Sequence, residues 1–370
     1  MEAREFNFWK ARYDANDLAE FNFNAAGLLW LKLKSLTRKG LLDDFIAAHS
    51  IDATRARTLA AKWEVVFNLL QKQDEQQIHQ TIDDFIHRKS QAQIENFDEQ
   101  ALVSELYKLK FYDWGGDYKN NLDKYLVDSF IKVYRSYDEL SAKIEGEIAR
   151  SVAGYVLNSW YNHWSSILIE NIFKAHKAVL PTVGQIKKVD FFIRQIPFDL
   201  KVTYLPANFI EEKRKSYGLR PELTELKQQA RKLSVTFQTH KKASDTYYEI
   251  VQKLQDRDSE ASLAALKSID DVRKKILDEA RAQPQELVKN LYEKQGEMRF
   301  DASNRLFLIL VDSINYNSSW KLRRNLDLLK PTITQYLDDF DSKNIEGLRV
   351  DFRFADKEYT CLADCLFVTK

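Results

Sequence analysis

The sequence predicts a mixed α/β core that is preceded by a helical region and interrupted by a helical insertion. Three observations lead there. Two apolar stretches, Val189 to Tyr204 and Asn304 to Asp312, are rich in β-branched and aromatic residues and have the length of strands. The segments around them repeat apolar residues every three or four positions, as helices with one buried face do. Glycine (10) and proline (6) are scarce among 370 residues, which favours long helices over a turn-rich β architecture.

A chain of this length has room for two or three domains and a sizeable core. An apolar share of 44% beside 30% charged residues is ordinary for a water-soluble protein. The net charge of +1 advertises no polyanion partner globally, so any such surface is local. Cys361 and Cys365 are too few for a disulfide framework or a cysteine-based zinc site. No apolar run approaches the ~20 residues of a membrane helix. The acidic, aromatic N-terminus is unlike a signal peptide, so the expectation is a cytoplasmic protein that does not engage a membrane.

Taken in order, residues 1–140 read as a helical N-terminal domain. Helical spacing is clear from Phe23 to Leu36 and from Ala56 to Lys72, and a more polar amphipathic helix follows in DEQQIHQTIDDFIHR. Trp114-Gly115-Gly116-Asp117 marks a break before a further helix through YLVDSFIKVYRSY. His79 and His87 stand eight apart, a spacing that suits solvated or capping histidines better than a metal pair. From Asp138 one long helical pattern runs towards Leu180-Pro181, where proline is expected to stop it. Trp160, Trp164, Ile167, Leu168 and Ile172 form its expected apolar stripe, and Glu170 lies at the stripe's edge. PTVGQIKK reads as a short loop into the first strand.

Residues 206–300 differ in composition. They read as a polar helical insertion, locally basic at Lys213, Arg214, Lys215, Arg220, Lys227, Arg231, Lys232, Lys241 and Lys242. A charge run on a helix is usually a solvated face, yet this excess of cations equally suits phosphate contact. The chain then returns to sheet with NRLFLILVD, whose continuous apolar run marks a central strand covered on both faces. The helix SWKLRRNLDLL carries Arg323 and Arg324 and is ended or kinked by Pro331, and two alternating strands around Asp356-Lys357 close the chain. The α/β core is therefore assigned to 141–205 and 301–370.

The charges within the first pair of strands are the feature that calls for chemistry. Asp199 and Lys201 are two apart, so on a strand they share a face with Cα atoms roughly 7 Å apart. A hairpin with Gln195 and Ile196 at its tip sets Asp190 opposite Lys201 and Phe192 opposite Asp199, so that all three charges project to one side. Two carboxylates and a lysine in an otherwise apolar hairpin are costly to bury without a purpose. A divalent cation supplies one. The tripeptide alone carries little, since Glu211-Glu212-Lys213, Glu225-Leu226-Lys227 and Asp341-Ser342-Lys343 have the same form. What distinguishes residues 199–201 is the apolar hairpin and the partner aspartate. The bland alternative is a surface Asp190–Lys201 ion pair, worth ~0–1 kcal/mol if exposed.

A helix with a glutamate, a strand with an aspartate, a strand carrying Asp-x-Lys, then a further strand and a helix resemble the PD-(D/E)xK nuclease fold of type II restriction endonucleases and Holliday-junction resolvases. The matching residues are Asp190 and Asp199-Leu200-Lys201, and the resemblance spans the α/β core alone. Val189 stands where the family has proline. The stretches NSWYNHW and PFDLKVTYLP also resemble a restriction-endonuclease group. Phosphodiester hydrolysis needs an activated water and a stabilised leaving group, and the resemblance agrees with the following roles. Mg²⁺ is expected at Asp190, Asp199 and the main-chain carbonyl of Leu200, with Glu170 reaching it through water or holding a second ion. Lys201 is expected to orient or activate the attacking water and to offset transition-state charge. Lys213, Arg214, Lys215, Arg231, Lys232, Lys241, Lys242, Arg323 and Arg324 are the expected DNA phosphate contacts. The expectation is thus a Mg²⁺-dependent type II restriction endonuclease acting on double-stranded DNA, and cutting both strands calls for two active sites and a homodimer. The alternatives are a non-catalytic helical DNA-binding or interaction protein on an α/β scaffold, and a structure-specific nuclease of the same chemistry. The helical additions are far larger than a minimal resolvase needs.

Overall fold

The computed structural model describes residues 2–370 except 16, 39, 114–121, 241–242, 295–302, 343–344 and 355. Helices fill the first half of the chain: α1 (Glu2–Asp14), α2 (Ala25–Leu36), α3 (Leu41–Ala48), α4 (Leu59–Leu70), α5 (Glu75–Glu95) and α6 (Glu99–Leu106). Four of these helices start at polar side chains that accept main-chain N–H groups left over at a helix N-terminus. Asn24 accepts from Gly27, Thr58 from Ala61, Asp74 from Gln77 and Asp98 from Ala101. The expected Trp114–Asp117 break lies outside the described residues. α7 (Leu122–Leu126) and α8 (Tyr137–Lys143) each run into a wider turn of π type, and α9 (Ala149–Lys174) follows.

The helix α9 ends earlier than the sequence suggests. Leu180 and Pro181 belong to a strand, β1 (Val179–Ile186), where only a loop was expected. β1 lies at the edge of the sheet, and an edge strand tolerates the missing N–H of proline. β2 (Val189–Ile193) and β3 (Ile196–Tyr204) complete an antiparallel meander. After the insertion, β4 (Arg305–Val311) is buried along its whole length, as its apolar run requires. A 3₁₀ stretch (Tyr316–Arg324) leads into a further helix (Leu326–Asp338), β5 (Arg349–Phe354) and β6 (Lys357–Thr369). Pro331 sits inside that helix and neither ends it nor replaces it with a break. In its second turn, proline removes a single main-chain donor. β4 and β6 pair in parallel, β5 and β6 antiparallel, and the six strands are ordered β1-β2-β3-β4-β6-β5. The fold is α/β with a mixed sheet.

The chain divides into two compact units, Met1–Val202 with Gly296–Lys370, and Thr203–Gln295. The helices before residue 140 belong to the same unit as the sheet. Phe6, Trp30, Phe45, Trp63, Phe67 and Phe85 share one apolar core with Leu180, Val183, Ile186, Val189 and Phe192 of β1 and β2. Gly184 allows this approach, because a Cβ there would stand 2.2 Å from the Ser35 carbonyl oxygen of α2. Buried Lys32 reaches Asp83 at 2.7 Å and His79 at 3.1 Å, and burial pushes its ammonium pKa down. Burial, then the neighbouring Lys32, lowers the His79 pKa, so this histidine serves the bundle. Among the described residues no helix is long and apolar enough to cross a membrane.

The second unit is helical: α10 (Ala207–Ser216), α11 (Glu222–Lys232), α12 (Ala243–Arg257), α13 (Glu260–Ala282) and α14 (Pro284–Lys294). Leu226, Ala230, Ile250, Leu254 and Ile269 form its core. Glu222 and Arg273 make a buried two-pronged ion pair beside it.

Candidate metal and catalytic site

The hairpin of β2 and β3 turns at Arg194 and Gln195, whose φ values of 48° and 70° are both positive. That is the backbone of a two-residue hairpin turn whose twist suits paired strands. Phe191 pairs with Phe198, Phe192 with Pro197 and Ile193 with Ile196. The register therefore differs from the expected one, and Phe192 does not face Asp199. Continued by one step, it sets Asp190 directly across from Asp199. The two carboxylates still project to one side, because the shift is by an even number of residues. Like charges directly opposed across a strand pair are destabilising unless something lies between them.

The strands part where these aspartates stand. The Asp190 side chain takes the place of a ladder bond, accepting the Leu200 N–H at Oδ2 (2.8 Å). The Thr182 hydroxyl donates to the Asp190 carbonyl oxygen (2.9 Å), in the stretch where the β1–β2 register shifts between Pro181 and Ile186. On its other side β3 turns to β4, with the Asp199 N–H donating to the Asn304 carbonyl at 3.0 Å. Asp190 is thus fixed by both neighbouring strands. Burial pushes its carboxyl pKa up to about 7, with Glu170 and Asp199 adding to the rise.

Asp199 is 4% exposed. Its Oδ1 stands 2.6 Å from the Lys201 ammonium, and its Oδ2 stands 3.3 Å from Nε of Arg305 at the head of β4. Lys188, in the turn between β1 and β2, lies within electrostatic reach of Asp199 and Arg305. Burial, then Lys187 and Arg305, lowers its pKa to about 8. Glu170 comes from the last turns of α9 and holds Lys174 at 3.0 Å. The rings of Phe173 and Phe191 stack at 5.1 Å and 13°, pinning this end of α9 beside Asp190. The buried stripe of α9 is Asn158, Tyr161, Ser165, Leu168, Ile169, Ile172 and Phe173. The expected stripe is right at Leu168 and Ile172 but not at Trp164, which is 36% exposed.

Glu170, Asp190, Asp199 and Lys201 are brought together. The donor set suits a small hard cation: carboxylate oxygens and a main-chain carbonyl at Leu200, held where acids repel one another. Among the described residues no group of three or more His, Cys, Asp and Glu forms a metal cage. A cation here would keep much of its water, as Mg²⁺ does. Arg305 and Lys188 were not singled out from the sequence. The visible signal was an arginine heading an otherwise apolar strand and a lysine two places before Asp190.

The expected phosphate contacts divide sharply. Arg323 and Arg324 are buried and donate to hydroxyl and carbonyl oxygens inside the protein, which corrects their expected place on a DNA-facing surface. Arg323 donates to Ser165 and Ser166 Oγ (both 3.2 Å) and to the Val202 carbonyl (2.9 Å). Arg324 donates to the carbonyls of Leu106 (2.5 Å) and Leu109 (3.0 Å) and lies over the rings of Tyr107 and Trp320. Arg214 is likewise enclosed, paired with Glu225 and bonded to the Arg220 carbonyl. That enclosure by Glu225 of α11 and the Arg220 carbonyl is something a count of cations could not reveal. Lys213 is partly shielded and pairs with Glu286 at 2.5 Å. Lys215, Arg231 and Lys232 face solvent. Lys241 and Lys242 lie outside the described residues. Comparison of the chain with protein-family models, with curated proteins and with solved structures finds no match.

Proposed function

We propose that this protein is a Mg²⁺-dependent endonuclease of the PD-(D/E)xK type, a type II restriction enzyme that cuts double-stranded DNA at a specific site. The observation that carries the reading is the convergence of Asp190 and Asp199 just beyond the last paired residues of β2 and β3, with Lys201 against Asp199 and the Asp190 pKa pushed up to about 7. A carboxylate pair that resists joint ionisation binds a cation in preference to a proton once the pH exceeds that value.

Asp190, Asp199 and the Leu200 carbonyl would hold the ion, which when bound lowers the pKa of its water and screens the phosphate charge. Lys201 leaves Asp199 for the substrate side, where its ammonium orients the attacking water and meets the charge that builds on the non-bridging oxygens. Glu170, tied to Lys174, orders water at the edge of the site. Leu200 N–H keeps the Asp190 carboxylate turned inward throughout. Lys215, Arg231 and Lys232, being solvent-facing, are the phosphate contacts retained in this reading, with Lys213 at the margin. Two copies of the site are needed to cut both strands, so the working form is a homodimer.

The test is incubation of the purified chain with phage DNA and Mg²⁺. Discrete fragments support a site-specific nuclease. Intact DNA over a range of divalent metals and salt would return the α/β unit to the rank of scaffold.

A further inference from the structure

A guanidinium at the head of an apolar strand is expensive. Arg305 is 1% exposed, and burying such a charge costs several kcal/mol unless it is paired. Its partner is the carboxylate that the proposed chemistry needs most, Asp199, 3.3 Å away. The strand is registered for that purpose. The Asp199 N–H donates to the carbonyl of Asn304, and the Asn304 side chain donates to the Pro197 carbonyl (3.0 Å). The residue before Arg305 therefore clamps β3 on both sides of Phe198. Asn304 also accepts the Leu362 N–H at 2.9 Å, which ties the clamp to β6.

Two cations make ion pairs with Asp199, one on each oxygen, while Lys188 stands further off within electrostatic reach, and the two paired cations differ in freedom. The Lys201 side chain is 38% exposed on a flexible stem, whereas that of Arg305 is 1% exposed and belongs to the strand core. If Lys201 alone balanced Asp199, its departure towards substrate would leave a buried carboxylate uncompensated and free to turn.

We infer that Arg305 is the positioning residue of the site, holding the Asp199 carboxylate in place so that Lys201 is free to act on the phosphate. The inference rests on the nuclease reading for its purpose, but the hold itself does not. Arg305 need not touch the substrate.

The experiment uses the full chain and two readouts. Urea unfolding in chelator compares Lys201→Met, Arg305→Met and the double variant, each with and without Asp199→Asn. Because either cation suffices to balance Asp199, the double variant loses far more than the two single losses combined, and Asp199→Asn returns most of that excess. Strict additivity would overturn the inference. Should Arg305→Met fail to fold, Arg305→Gln, which also removes the charge, takes its place in the cycle.

The second readout is single-turnover cleavage at saturating Mg²⁺. Arg305→Lys keeps the charge but loses the planar guanidinium set against Asp199 Oδ2, so the rate falls at least ~10-fold while DNA affinity in Ca²⁺ changes less than ~3-fold. A merely structural arginine would lower the unfolding midpoint and leave the rate of the folded enzyme alone. A wild-type rate in Arg305→Lys overturns the positioning role. A chain that shows the coupling but cuts no DNA leaves the hold on Asp199 standing and removes the nuclease reading instead.

Discussion

Replacing Asp190 by asparagine isolates the electrostatic strain at the centre of the site. The asparagine oxygen still accepts the Leu200 N–H, so the geometry is kept while the charge is removed. In the folded chain the Asp190 pKa is pushed from 3.8 to about 7 by burial, then by Glu170 and Asp199. An acid whose folded-state pKa is raised binds more protons folded than unfolded between those two values. Stability contributed by the group is therefore complete below about pH 4 and is lost as pH rises through about 7. At pH 8 the ionised carboxylate costs the metal-free fold at most about 4 kcal/mol, and partial solvation of the site reduces that figure. Urea unfolding in chelator should thus find Asp190→Asn more stable than wild type at pH 8 and equal to it below pH 4. The same group sets cation affinity. Mn²⁺ must displace a proton below about pH 7, so its apparent affinity for the wild type falls about tenfold per pH unit there and levels off above. Calorimetric titration at pH 6, 7 and 8 reads this directly. Affinity that is flat across that range, or a variant no more stable than wild type at pH 8, would refute the reasoning.

Three further outcomes follow from the same geometry. Glu170→Gln should slow single-turnover cleavage with little change in DNA affinity, measured by fluorescence anisotropy in Ca²⁺, because Glu170 acts on Asp190 and ordered water. Neutralising Arg231 and Lys232 together should weaken binding across sequences and reduce the salt slope of log Kd by about 2, with the rate at saturating protein nearly intact. Arg324→Met should lower stability by about 2–4 kcal/mol in urea unfolding, because the Leu106 and Leu109 carbonyls lose their donor inside the protein. Unchanged stability there would mean the arginine is replaceable by water.

How much could be read from residues alone depended on whether the signal was local. β2 was legible to its ends because Val189 to Ile193 is a short apolar run closed by a turn. The turn itself was misplaced by one residue, since Arg194 and Gln195 adopt positive φ without the glycine or asparagine that usually announces it. β1 was missed because Pro181 reads as a stop signal, and only the strand order shows that it lies on an edge. In α9, Tyr161 and Ser165 are buried where Trp164 was expected, because a hydroxyl that finds a partner packs inward. Tyr161 donates to the Trp320 carbonyl at 2.9 Å. Arg323 and Arg324 illustrate the same limit. A cation in sequence carries no mark of whether it will face phosphate or close a ring of carbonyls. The convergence of Asp190, Asp199 and Lys201 survived the register error because strand parity depends on even spacing and not on the turn position.

The most direct test of the central claim is the single-turnover cleavage rate of Lys201→Ala beside the wild type, on a DNA site identified from phage fragments. Binding in Ca²⁺ should be nearly unchanged, since Lys201 acts after the DNA is seated. Cleavage in Mg²⁺ should fall at least ~100-fold, a loss of ~2.7 kcal/mol of transition-state stabilisation. A variant that cleaves at the wild-type rate would contradict the assignment of this cluster as the catalytic site.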